Sequence, residues 1–140
     1  MTLRAGDARV GLVHEVVVVE NLSRAQIIQY AGASGDFSPQ HVDEVWSVRI
    51  GGSPTVFAHG MLTMGLTGAM LTDWLGADAL QTFGVQFRAP VWPGDTLRAR
   101  ATITAVERTN AGTIVALDVE TRNANDDVVA SGTATARARP

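Results

Sequence analysis

The segment from Ala58 to Leu75 is apolar almost all the way round a helix, and it constrains the fold more than any other part of the chain. A helix without a polar face has to be buried on most of its sides. His59, several threonines and an aspartate interrupt it, so it falls short of the ~20 clean apolar residues that span a membrane. We therefore predict a core helix that the rest of the chain covers. Small residues make it thin enough for other backbone to approach closely: Gly60, Gly65, Gly68 and Ala69.

Much of the remaining chain alternates apolar and polar residues with the period of two that is typical of β-strands. Short turns join the last four of these segments, which favours a meander of hairpins and hence an antiparallel sheet. The predicted strands cover residues 12–20, 81–88, 96–108, 113–122 and 128–137, and the apolar positions of the 96–108 strand are Leu97, Ala99, Ala101, Ile103 and Ala105.

Two shorter helices are predicted between the first strand and the apolar segment. Ser23 is a plausible N-cap, and Gln26 follows three residues later, as in a capping box that opens a helix over 24–33. A loop over 36–41 and a short helix over 42–50 come next, before a Gly-Gly-Ser-Pro break. This order of elements predicts an α+β fold, in which an antiparallel curled β-sheet wraps around the long central helix.

Composition limits the chemistry that the chain can perform. The chain has 140 residues, the length of one domain, so we predict a single domain over residues 1–140. It contains no cysteine, and all 11 basic residues are arginine. Thiol nucleophiles, disulfides, Schiff-base lysines and Walker-type phosphate loops are therefore excluded.

Charge and histidine content argue against several partners. The net charge of −3 disfavours nucleic acid as the main partner, because phosphate neutralisation needs a basic face. The three histidines, at positions 14, 41 and 59, fit no familiar metal-ligand spacing, so no metal site is expected. The aliphatic run Val16 to Val19 is too short for a secretory signal. We expect a cytoplasmic protein with no membrane partner.

The first candidate for chemistry is the pair Asp36 and His41, which lie five residues apart across a turn that contains Pro39. Such a turn can aim a carboxylate and an imidazole at one point, and these are the commonest proton carriers near neutral pH. Taken alone, the pattern is more typical of simple structural roles. Asp36 would then cap the following turn, and His41 would lie in a surface loop.

A second candidate is the His59-Gly60 pair at the start of the apolar helix. Unpaired backbone N–H groups at a helix start can stabilise developing negative charge, and a glycine lets a ligand carbonyl approach them. The structural alternatives are packing at Gly60 and a hydrogen bond from His59 to local backbone. Arg88, at the end of a predicted strand, fits a solvated position or a phosphate contact.

Together these segments resemble the MaoC-like, (R)-specific enoyl-CoA hydratase family, whose members have the hotdog fold. The family motif reads roughly aromatic, small residues, then Gly-Asp-x-Asn-Pro-aliphatic-His. The resemblance covers residues ~10–138, and three motifs in the right order are more specific than one. The matching positions are Tyr30, Gly35, Asp36, Pro39 and His41, then residues 58–62 and 87–95.

Two residues depart from the family motif. Ser38 stands in place of the usual asparagine, and Gln40 in place of an aliphatic residue. Asparagine would orient the loop through its side-chain amide, which serine can do only in part. Both proton carriers are nevertheless present.

The resemblance implies reversible hydration of trans-2-enoyl thioesters to (3R)-3-hydroxyacyl thioesters. Asp36 and His41 would be the catalytic pair, and the Gly60 N–H would receive the charge that develops on the thioester oxygen. His59, Ser38 and Arg88 would complete the oxyanion and substrate-binding site. No cofactor is implied, because coenzyme A or the phosphopantetheine of an acyl-carrier protein belongs to the substrate.

Two alternative functions stay open. A hotdog thioesterase shares the fold and the substrate class, and a non-catalytic partner subunit would only shape a tunnel for an active homologue. The family resemblance also implies two protomers joined edge to edge. We therefore expect a homodimer, or a heterodimer with a related hotdog subunit.

Overall fold

Five antiparallel strands form one sheet in a computed structural model, which describes residues 2–140. In chain order the elements are β1 (Val13–Val19), α1 (Arg24–Ser34), α2 (Pro39–Val42), α3 (Glu44–Arg49), α4 (Gly60–Leu75), β2 (Leu80–Phe87), β3 (Leu97–Thr109), β4 (Gly112–Arg122) and β5 (Val128–Ala138). The strands follow the spatial order β1-β3-β4-β5-β2, so the hairpins β3-β4 and β4-β5 form the centre of the sheet. The predicted meander is wrong at its first step, because β2 pairs with β5 and not with β3.

All five predicted strands are present within two residues of their expected ends, but β3 departs from strict alternation. Its register against β4 shifts between Ile103 and Ala105. A bulge of this kind adds one residue and turns the following side chains to the opposite face. Ala105, which we expected to face inward, is therefore exposed, and Val106 packs against the core instead.

The helices before α4 follow the predictions with one correction. The capping box of α1 is present, since Ser23 and Gln26 each accept a hydrogen bond from the other's backbone N–H. The predicted helix over 42–50 is instead two short helices that meet at Asp43. Asp43 ends α2 and caps α3 by accepting from the Trp46 N–H at 2.9 Å. The loop predicted over 36–41 is correspondingly shorter, because His41 already lies in α2.

Helix α4 packs against the inner face of the sheet, where a continuous apolar core encloses its second half. One polar link also ties the helix to the centre of the sheet. The fully buried Thr67 hydroxyl donates to the Thr63 carbonyl at 2.9 Å, so it accepts from the Thr121 hydroxyl of β4 at 2.6 Å. The residues of α4 that are buried are Thr63, Thr67, Met70, Leu71, Trp74 and Leu75.

Two aromatic rings of β2 lie on glycines of α4. A Cβ atom at Gly60 would come within 2.7 Å of the Phe87 ring, and one at Gly68 within 3.4 Å of the Phe83 ring. We expected these small residues to admit neighbouring backbone. They admit aromatic side chains instead, and this contact holds the edge strand against the start of the helix.

One stripe of α4 stays open to solvent in the single chain. Met61 is 54% exposed, and Gly65, Ala69 and Asp73 continue the stripe at four-residue intervals. Within residues 2–140, no helix combines the length and the apolar character needed to cross a bilayer.

We predict that the protein forms an oligomer in which sheet edges pair. The outer edges of β1 and β2 carry unpaired backbone groups, and pairing would satisfy them while it covers the open stripe of α4. Light scattering should give a mass well above that of the 14.8 kDa chain. A fully active species with the mass of one chain would contradict this.

A second prediction concerns the contact between β2 and β5. A Cβ atom at Gly132 would overlap the backbone oxygen of Gly84 and lie 2.7 Å from the Val85 Cα. Gly132→Ala should therefore lower the free energy of unfolding by ~1–3 kcal/mol, because backbone cannot move aside cheaply. Gly84→Ala is the control, since nothing lies within 4 Å of its added Cβ. Urea unfolding measures both, and equal stabilities would refute the close approach.

Candidate active site

Asp36 and His41 come together where α1 ends and α2 begins. Gly35 turns the chain at the end of α1 with a φ of 77°, a left-handed conformation that glycine adopts without strain. Pro39 then starts α2, which carries His41 into the protein, where it is 6% exposed. The His41 Nε2 lies 3.9 Å from the Asp36 Oδ2. The predicted pair is therefore brought to one place.

The contact at Nδ1 shows which nitrogen of the neutral His41 ring carries the proton. Nδ1 lies 2.7 Å from the backbone carbonyl oxygen of Phe57, which can only accept, so Nδ1 carries the hydrogen. Nε2 is then the nitrogen with a free lone pair, and it faces Asp36. A gap of 3.9 Å is too long for a direct hydrogen bond but suits a bridging water.

The carboxylate of Asp36 is held by Ser38. Its Oδ1 accepts from the Ser38 hydroxyl at 2.6 Å and from the Ser38 N–H at 3.1 Å. These bonds lower the pKa of Asp36, the hydroxyl most strongly, and the nearby His41 and His59 add smaller effects in the same direction. We expected Ser38 to orient the loop only in part, compared with the asparagine of the family motif. In this structure Ser38 orients the loop directly and leaves Oδ2 for the gap.

His59 makes a contact that the sequence did not predict. It precedes α4 and is 2% exposed, but its side chain makes no capping hydrogen bond. Its Nε2 lies 2.9 Å from the backbone carbonyl oxygen of Asp36, and its ring stacks on that of His41 with centroids 3.9 Å apart. The expected hydrogen bond to local backbone is therefore wrong, because the partner belongs to the Asp36 loop.

Gly60 and Arg88 line a separate cleft of about 290 Å³. As the first residue of α4, Gly60 has an N–H that no carbonyl of the helix can accept. Arg88 is held at the other wall by donating from Nε to the Ser131 hydroxyl at 2.9 Å. The walls of the cleft are Phe57, Ala58, Gly60, Thr63, Phe87, Arg88, Ala89, Pro90, Val91 and Val129.

The cleft and the Asp36–His41 gap are neighbours through Phe57. This residue lines the cleft, and its carbonyl and its ring both contact His41. Asp36 and His41 are not themselves walls of the cleft in the single chain. We still predict that the Gly60 N–H and the Asp36–His41 pair act on the same substrate group.

Asp36, His41 and His59 also form a group of potential metal ligands, with one donor atom from each lying within 4.8 Å of the others. Zinc at ~2.1 Å from tetrahedral donors needs them roughly 3.4 Å apart. The group is wider than this. A metal-free site stays the expectation.

Sequence reasoning missed two contributors to the site, Phe57 and Tyr30. The Phe57 contribution is a backbone carbonyl, and any residue type supplies one. Tyr30 was noted only as a motif position, yet its ring packs edge-on against His59 with centroids 4.8 Å apart. Neither contact has a signal in residue spacing, because both depend on how the helices α1 and α2 pack beside the segment that leads into α4.

Known proteins are similar to this chain in sequence and in fold. Residues 9–125 match the family described as the MaoC like domain. The chain belongs to this family. An (R)-specific enoyl-CoA hydratase of Rhodospirillum rubrum is 36% identical over 95 residues, which are 64% of this chain. The MaoC-like chain matches 62% of that relative's length.

Solved structures show that this MaoC-like chain has the predicted hotdog fold. The unliganded R-hydratase PhaJ1 from Pseudomonas aeruginosa has a TM-score of 0.84 at 22% identity, over 99% of this chain and 86% of that one. The ChsH1–ChsH2 complex from Mycobacterium tuberculosis has a TM-score of 0.78 at 26% identity, over 94% of this chain and 98% of that one.

We predict that Ser38→Ala raises the pKa of Asp36 toward its ordinary range. The Ser38 hydroxyl stabilises the ionised carboxylate, so its loss favours the protonated form at a higher pH. A ¹³C NMR titration of the Asp36 carboxyl measures the shift. Ser38→Thr keeps a hydroxyl and should leave the pKa low. Equal pKa values in the alanine and threonine variants would contradict this role for the hydroxyl.

Proposed function

We propose that this MaoC-like chain adds water reversibly across the trans-2 double bond of an enoyl thioester and yields a (3R)-3-hydroxyacyl thioester. The observation that carries the proposal is the gap between the Asp36 Oδ2 and the His41 Nε2, which matches the needs of one bound water. One side of the gap is a carboxylate with a lowered pKa, and the other is a ring nitrogen with a free lone pair.

In the hydration direction, the Nε2 lone pair of His41 first takes up a second proton, so the reaction begins with ionised Asp36 and protonated His41. The water oxygen bonds to C3 of the substrate while Asp36 takes one of its protons, and the electron pair of the double bond moves toward the thioester carbonyl. His41 gives its Nε2 proton to C2 on the same face. Transfer of the Asp36 proton to His41 restores both groups, so one water is consumed and no other atom is gained or lost.

The Nδ1 hydrogen bond to the Phe57 carbonyl supports this role for His41. It holds the ring in one orientation, so that Nε2 is the only nitrogen that exchanges a proton with the substrate. A carboxylate with a lowered pKa also stays ionised, and thus able to accept a proton, well below neutral pH.

The start of α4 supplies a donor for the thioester oxygen in this proposal. Gly60 lines the cleft, and its N–H lies at the positive end of a helix of 16 residues. One such donor is typically worth ~3–4 kcal/mol of transition-state stabilisation. Arg88 at the same cleft is a suitable contact for a phosphate of coenzyme A or of a carrier-protein arm. No cofactor beyond the substrate's own carrier is proposed.

A non-catalytic subunit of a heterodimer is the second candidate, and the departures at Ser38 and Gln40 are what favour it. A homodimer and a heterodimer with a related hotdog subunit are both consistent with the open edges of the sheet. An assay on crotonyl-CoA and a longer enoyl-CoA separates the functions. Loss of enoyl absorbance signals hydration, release of free thiol signals a thioesterase, and no reaction signals a partner subunit.

We predict that Asp36→Asn and His41→Gln each lower the hydration rate by ~10²–10⁴-fold, the usual contribution of one general acid–base group. The double variant should be little slower than either single one, because the two residues act on one water. Initial rates of enoyl-CoA hydration measure all three.

His14→Gln is the matched control for these variants. His14 stacks on Trp74 near the far end of α4, roughly 20 Å along the helix from Gly60 at ~1.5 Å per residue, so its rate should match the wild type. Binding of the substrate by the Asp36→Asn protein should persist. Near wild-type hydration by that variant would refute the mechanism even though the fold is right.

A further inference from the structure

His59 contacts both members of the candidate catalytic pair with a single ring. Its Nε2 lies 2.9 Å from the Asp36 carbonyl oxygen, which can only accept a hydrogen bond. The ring hydrogen is therefore on Nε2. The other nitrogen, Nδ1, is buried and has no hydrogen-bond partner in the part of the chain that the structure describes.

The segment that His59 holds has little other support. Residues 35–38 form neither helix nor strand, and the Asp36 side chain is 47% exposed. The Asp36 N–H donates to the Ser34 hydroxyl at 3.2 Å, and its carboxylate accepts from Ser38. These partners lie within two residues of Asp36. His59 is the partner that is distant in the chain, 23 residues from Asp36, and it precedes the buried helix α4.

The same ring lies against His41. The two imidazoles stack with centroids 3.9 Å apart and planes inclined by 27°, while Tyr30 of α1 packs edge-on against His59. A displacement of His59 would therefore move the Asp36 backbone and the His41 ring together. The gap between the Asp36 Oδ2 and the His41 Nε2 depends on both of those positions.

We propose that His59 is a positioning residue, which sets the separation of Asp36 and His41 by donating from Nε2 to the Asp36 carbonyl while its ring supports His41. The inference rests on the proposed hydration activity. His59 transfers no proton to the substrate in this scheme. It acts through geometry, and a displacement of ~1 Å in a reacting group costs up to ~10²-fold in rate.

Two substitutions of His59 separate the hydrogen bond from simple volume. The amide nitrogen of glutamine occupies the place of the histidine Nε2 and can donate, whereas that of asparagine corresponds to Nδ1 and falls short of the Asp36 carbonyl. His59→Asn should lower kcat by ~10- to 100-fold with KM changed less than about twofold. His59→Gln should retain kcat within about fivefold of the wild type, because it restores the donor.

Several results would overturn the proposal. Equal kcat values for the two variants would show that the donor is irrelevant, and a change confined to KM would place His59 on the substrate. Thermal unfolding of both variants checks that they are folded. If His59→Asn does not fold, ¹⁵N NMR of the histidine rings in the wild-type protein decides. A proton on His59 Nδ1 rather than Nε2 contradicts the proposal, and one on Nε2 supports it.

The proposed function and the role of His59 fail in different ways. If the wild-type protein shows no hydration of any enoyl thioester tested, the proposed function is wrong. If it is active and His59→Asn matches His59→Gln, only the positioning role is wrong. The ¹³C signal of the Asp36 carbonyl reports the hydrogen bond without any assay, and it should change in His59→Asn and not in His59→Gln.

Discussion

The burial of α4 against the curled sheet is the constraint on which the rest of the structure depends. Because this helix has almost no polar side chains to face water, the sheet has to curve around it, and its buried hydroxyls have to find partners inside. The bond between Thr67 of α4 and Thr121 of β4 satisfies one of them and ties the helix to the central strands. The first residue of α4, Gly60, is thereby held in one place relative to the sheet.

The candidate active site follows from that fixed helix start. His59 contacts the Asp36 loop through its Nε2, and Gly60 is a wall of the cleft. Hydrogen bonds to two backbone carbonyls, those of Phe57 and Asp36, then determine which ring nitrogen of each stacked imidazole carries the proton. Main-chain groups of this kind are rigid acceptors in a buried setting, where an unpaired polar group is costly. Backbone groups therefore orient the side chains of the site as much as other side chains do.

The prediction from residue patterns succeeded where a pattern acts locally. The strands, the capping box at Ser23 and the long helix all follow from alternation, caps and apolar periodicity, which operate within a few residues. It failed at the bulge after Ile103, which exposes Ala105, and at Asp43, which divides one expected helix into two. It also failed at β2, which pairs with β5 and not with β3. These failures arise because contacts with neighbouring elements, rather than local preference, decide where an extra residue or a cap is placed and which strands pair.

The sequence by itself determined the element order, the antiparallel sheet, the family motifs and the identity of the two proton carriers, because these depend on residue types and short spacings. Only the tertiary structure decided that Ser38 holds the Asp36 carboxylate and that the Phe87 ring covers Gly60. It also decided that His59 binds the Asp36 carbonyl, 23 residues away in the chain. A hydrogen bond between distant segments depends on a distance of a few tenths of an ångström, and that distance is set by packing of the whole core.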